Sequence, residues 1–181
     1  MKYRLIDRLA DFEFHDSAWS LISYDSGKLV VEARFLNIHR AALADVITCD
    51  MEIQLAKITF CSCSVVAYEP GVTWKTDASG KSYPAEPMIT YADLDAEKRL
   101  LHELDSTTTI YSFEEDNCGN YRISGCGDEP YFEAVISFNR VTIEWDDFRR
   151  PAWYVLRKRK SRCKARHEKA FEGLLKRYFG K

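Results

Sequence analysis

The sequence predicts a β-dominated α+β fold: one or two antiparallel sheets of about eight to ten strands, closed by an amphipathic C-terminal helix. Three observations lead there. Apolar and polar residues alternate along several stretches at the two-residue period of a strand. Those stretches are rich in β-branched and aromatic residues, and aromatics reach 13% of the chain, which suits pleated, half-buried surfaces. Turn residues punctuate them, as in Asp25-Ser26-Gly27-Lys28 and Asp116-Asn117-Cys118-Gly119-Asn120. At 181 residues, one domain spanning 1–181 is expected, large enough to fold without a metal or disulfide.

Along residues 1–16, Leu5, Ile6, Leu9 and Phe12 fall near helical spacing, so a short helix or turn is expected. A hairpin follows, with strands 19–24 and 29–38 about the Asp25–Lys28 turn. Residues 41–49 read as a loop or helical turn. Residues 51–68 alternate for longer than one strand, which predicts two strands or a bend near Cys61-Ser62-Cys63. Pro70, Gly71, Gly80, Pro84 and Pro87 mark 69–90 as a loop. Asp93 to Asp105 reads as a helix with Leu94, Leu100, Leu101 and Leu104 on one side. Strands are expected over 107–113, 121–124 and 131–144, and a last one over 153–156.

The final segment has the helical pattern Phe171, Leu174, Leu175, Tyr178 and Phe179, framing a helix over 161–179 with Ser161 as its N-cap. An internal resemblance is also present. Ala56-Lys57-Ile58-Thr59-Phe60 is similar to Ala134-Val135-Ile136-Ser137-Phe138. Each leads through an apolar strand to an aromatic–acidic end, Tyr68-Glu69 or Trp145-Asp146. Two similar β units, over 17–70 and 107–154, are the pseudo-repeat this suggests.

Charge is unevenly distributed. From Val155 to Lys181 there are eleven Lys or Arg and two Glu, leaving 15 basic and 26 acidic side chains in the rest of the chain. An acidic body and a basic tail attract each other, so the tail is expected to pair with the body or with an external polyanion, and an acidic body also suits a basic partner. The basic run Arg157, Lys158, Arg159, Lys160, Arg162, Lys164 and Arg166 is the candidate partner- or polyanion-binding segment. No run of eighteen apolar residues occurs, so no membrane span is expected. Charges interrupt the first eight residues, which argues against a signal peptide and for a cytoplasmic protein with reduced thiols.

Chemistry-bearing residues are few. His15 and Asp16 are the candidate catalytic pair, but neighbours in an extended chain project apart, and a turn cap by Asp16 or Ser17 is the competing role. Carboxylates gather at Glu114-Glu115-Asp116, Asp128-Glu129 and Glu144, Asp146, Asp147. A hydrolase or metal-dependent enzyme would combine His15 with the last of these. The 114–125 stretch lacks the closing Glu of a calcium loop. Cys61-x-Cys63, read in a strand, sends both thiols to one face, and the spacing is not that of a structural zinc site. No Gly-rich phosphate loop is present, so neither a cofactor nor a metal is expected.

The run Phe14-His15-Asp16-Ser17, followed by Trp19 and an alternating strand, resembles uncharacterised small bacterial β-rich proteins, some of them grouped with toxin-immunity proteins. The resemblance implies a non-catalytic protein that binds a protein partner. Nucleic-acid or polyanion binding through 157–166 is the alternative, and the His15-based enzyme is the third reading.

Overall fold

A computed structural model describes residues 1–157. The helix expected over 161–179, and the basic residues Lys158, Arg159, Lys160, Arg162, Lys164 and Arg166, lie outside the described residues.

The chain opens with β1 (Tyr3–Ile6), β2 (Phe12–Glu13), β3 (Ser17–Asp25) and β4 (Lys28–Arg34). It continues with β5 (Asn37–Ile38), β6 (Met51–Ile53), β7 (Ala56–Cys61) and β8 (Ser64–Pro70). The expected 69–90 loop holds a small hairpin of β9 (Trp74–Thr76) and β10 (Ser82–Pro84). Next, β11 (Tyr91–Ala92) runs directly into α1 (Asp93–Asp105). The rest is β12 (Thr108–Glu115), β13 (Tyr121–Cys126), β14 (Phe132–Ser137), β15 (Arg140–Trp145) and β16 (Phe148–Pro151). Ten strands form one antiparallel sheet in the order β1-β15-β7-β4-β3-β12-β13-β14-β8-β11, and β16-β6-β5-β2 form a second.

Two links give the large sheet its shape. Only Ser62 and Cys63 separate β7 from β8, yet these strands stand third and ninth in the order. Six strand spacings in a flat sheet cover roughly 29 Å, whereas the three Cα steps from Cys61 to Ser64 reach roughly 11 Å. The sheet therefore folds over on itself. Phe138 and Asn139 make the same crossing from β14 to β15. The crossings pair with each other: Cys61 opposes Arg140, and Ser64 opposes Ser137. Residues 56–70 and 132–145 are thus one long antiparallel ribbon bent at its middle, where Ser62 takes a left-handed φ of 52°.

The order of the sheet reads alike from both edges. Across one half, the register aligns Tyr3, Trp145, Ala56, Ala33 and Trp19. Across the other it aligns Tyr91, Tyr68, Ala134, Ile123 and Phe113. The two Ala of the similar sequence runs, Ala56 and Ala134, hold the same place in each row. β3 and β12 join the halves, pairing Trp19 with Thr108 and Ser17 with Ile110. The core fills the fold between them. Phe60 and Phe138 rings lie 4.9 Å apart, and Trp19 meets Phe113 edge-on at 5.4 Å.

Several elements differ from expectation. Residues 3–6 form an edge strand, because Tyr3 and Leu5 turn inward on the strand period while Arg4 and Ile6 stay exposed. Only Leu9–Asp11 is helical there, as one 3-10 turn. The strand expected over 29–38 breaks at Phe35, whose φ of 60° sends the chain into the second sheet. Leu94 is exposed, and the buried side of α1 is Ala96, Leu100, Glu103 and Leu104. Residues 153–157 are helical rather than a last strand, with Val155 and Leu156 amides donating to the Ala152 carbonyl. Cys61 and Cys63 flank a left-handed residue at the bend, so they do not share a strand face.

Candidate functional site

The halves differ in what covers them. Between β11 and β12 the chain builds α1, which packs on β8 and β3 and buries Leu100 and Leu104 completely. The matching connection, between β1 and β3, is residues 7–16. This shorter segment is fastened at both ends. The Asp7 amide donates to the Val141 carbonyl at 2.9 Å, and the Val141 amide donates to Asp7 Oδ1 at 2.8 Å. At the other end the Asp16 amide donates to the Ile110 carbonyl at 2.9 Å. A 3-10 turn and two strand residues do not fill the space a helix would, and a cavity of about 640 Å³ remains. That size is typical of small-ligand sites.

Five aromatic rings line this cavity: Phe12, Phe14, Phe113, Tyr121 and Phe138. Their packing is tight, with Phe14 edge-on to Phe113 at 5.0 Å and Tyr121 stacked on Phe138 at 4.7 Å. Two carboxylates, Asp7 and Glu115, also line it, and none of its described lining residues is Lys, Arg or His. The Tyr121 hydroxyl donates to Glu115 Oε2 at 3.3 Å. Burial pushes the Tyr121 phenol up, and the Glu115 charge and hydrogen bond add to this. Tyr121 therefore stays a neutral donor at physiological pH. The rim beyond is set by Asp116, whose Oδ1 accepts from the Cys118 and Asn120 amides. These backbone donors hold the Asp116 carboxyl below its ordinary value and place Gly119, with a φ of 79°, at the cavity wall. Aromatic walls with carboxylates and no basic residue among the described lining suit a cation on an apolar stem.

The candidates read from sequence meet elsewhere. His15, Asp16 and Arg157 line one cleft of about 430 Å³ with Arg150, Trp153 and Leu156. His15 Nδ1 donates to the Tyr111 carbonyl at 2.7 Å, and Nε2 lies 3.5 Å from Asp16 Oδ1. Both ring nitrogens thus face protein acceptors. A general base instead needs one nitrogen free toward its substrate. The turn role is also visible: Asp16 has a φ of 64°, and the Ser17 amide donates to the Phe14 carbonyl. Arg150 is held by Glu52 through two nitrogens, and Arg157 lies over the Trp153 ring. The carboxylates at 144–147 do not line this cleft. Glu144 is bound by Lys57 at 2.9 Å, and Asp146 accepts from the Lys2 amide.

Two buried carboxylates are structural. Glu103 accepts from the Tyr68 hydroxyl and from the Asp128 and Glu129 amides, tying α1 to the turn after β13. Glu52 lies between Arg149 and Arg150 in the second sheet. Burial pushes the Cys63 thiol up to about 12, so it packs as a neutral group. Among the described residues, no cluster of three metal-ligating side chains occurs.

Sequence reading missed the aromatic cavity. Its walls come from residues 7–14, 113–121 and 138–141, and each piece alone looks like ordinary core. The one local hint was the carboxylate run at Glu114-Glu115-Asp116, whose middle member faces the cavity. Among the described residues, no helix is long and apolar enough to cross a membrane. Comparison with protein-family models, with curated proteins and with solved structures returns no match.

Proposed function

We propose that this is a non-catalytic binding protein whose acidic body captures a basic protein partner, in the manner the Phe14–Ser17 resemblance to immunity-like proteins implies. The observation that carries the reading is the cavity beneath residues 7–16, with five aromatic rings, two carboxylates and no described basic lining residue. The 26 acidic against 15 basic side chains before Val155 support it, since a field of one sign steers an oppositely charged partner to its site. The 181-residue chain, immobilised and exposed to proteins of its native host, is expected to retain one basic protein. That protein, purified, should rebind with an affinity that falls as salt rises. Retention of heparin or nucleic acid but of no basic protein would overturn the reading, as would turnover of a substrate.

A further inference from the structure

We propose that the aromatic cavity receives a single arginine side chain, presented by the basic partner. This rests on the binding reading above and names the group that enters. Three features select a guanidinium. The walls are aromatic, and a planar, weakly hydrated cation loses less on leaving water for such walls than a compact ammonium does. Glu115 lies at the end of β12 with one oxygen engaged by Tyr121, so its charge is oriented and its other oxygen is unoccupied by that bond. Asp7, also on the lining, accepts from the Val141 amide and adds a second negative charge. A neutral apolar guest gains nothing from these two exposed carboxylates, whereas a cation is attracted to both.

The test uses the full chain and a short end-blocked peptide containing one arginine, with lysine and citrulline peptides as controls. Citrulline keeps the shape of arginine and removes the charge. Binding is read from NMR shifts of the aromatic side chains. Saturable shifts of Phe14, Phe113 and Tyr121 are expected with the arginine peptide. Citrulline should bind roughly tenfold more weakly, and lysine between the two. Glu115→Gln and Asp7→Asn should each weaken arginine binding roughly fivefold. Asn at position 7 retains an oxygen for the Val141 amide and tolerates the left-handed φ of 53° there.

Equal affinity for arginine and citrulline would overturn the proposal, and so would shifts confined to other aromatic residues. A second variant, Ala10→Trp, fills the cavity from an exposed position on its lining. With the thermal transition unchanged, it should abolish peptide binding. If Ala10→Trp captures the basic protein partner as well as the parent chain does, the arginine site falls while the wider binding reading stands. If the arginine peptide binds as expected but no basic protein is retained, the site stands and the wider reading falls.

Discussion

The two halves of the sheet align residue for residue in a row of five, yet one is covered by a helix and the other by a strap. Under α1, Leu100 and Leu104 are fully buried and the space is filled. Under residues 7–16, Leu9 is only partly buried and a cavity of about 640 Å³ remains. The same scaffold thus supports two outcomes, and the choice lies in one connection. A filled half contributes stability through apolar burial. An open half leaves aromatic rings and two carboxylates around a space that its own cover does not fill.

The sharpest way to break the comparison is to truncate an apolar residue in each cover. Leu100→Ala should lower the unfolding free energy by about 2–5 kcal/mol, because it opens a hole in a packed interior. Leu9→Ala faces a cavity already open and should cost less than about 1.5 kcal/mol. Chemical denaturation measures both, and equal losses would contradict the assignment of a filled and an open half.

A smaller effect is expected at the fastening of α1. Glu103→Gln keeps the shape but puts an amide among three donors, from Tyr68, Asp128 and Glu129. A loss of about 1–3 kcal/mol is expected from the resulting unmatched group. Unchanged stability would mean that the buried carboxylate does not anchor the helix.

The smallest effect is electrostatic and is shared by both halves. The Tyr131 hydroxyl and then Arg122 hold Glu133 below its ordinary value of 4.5, and Lys57 does the same for Glu144. Both carboxyls ionise more readily folded than unfolded. Their contribution is therefore present above pH 4.5 and is lost as pH falls through the lower folded values. Glu133→Gln and Glu144→Gln should each flatten acid unfolding by the worth of a surface ion pair, under about 1 kcal/mol. An acid transition as steep as the parent's in both variants would remove these pairs from the account.

Local chemistry made much of the fold legible. α1 spans Asp93–Asp105 as its pattern implies, and the β3–β4 turn falls at Asp25–Lys28. The bend near Cys61-Ser62-Cys63 follows from a stretch too long for one strand. Edge strand β1 was obscured because Leu5, Ile6, Leu9 and Phe12 imitate a helical face by accident. Trp153 to Leu156 is apolar and aromatic enough for a strand, but the Ala152 carbonyl captures the amides that follow. The site was illegible for a different reason. Phe12, Phe14, Phe113, Tyr121 and Phe138 meet only because the sheet folds over, and no spacing along the chain records that.

The ribbon of residues 56–70 and 132–145 has a consequence for how the protein is made. Neither half can be completed from its own stretch of chain, because β7 waits for β15 and β14 pairs back onto β8. During synthesis, the first half stands with an open β7 edge until residues 140–145 have left the ribosome. Contacts this distant close slowly, and an open edge invites other chains meanwhile. A polypeptide halted between residues 70 and 140 is therefore an adhesive fragment and not half of a working protein.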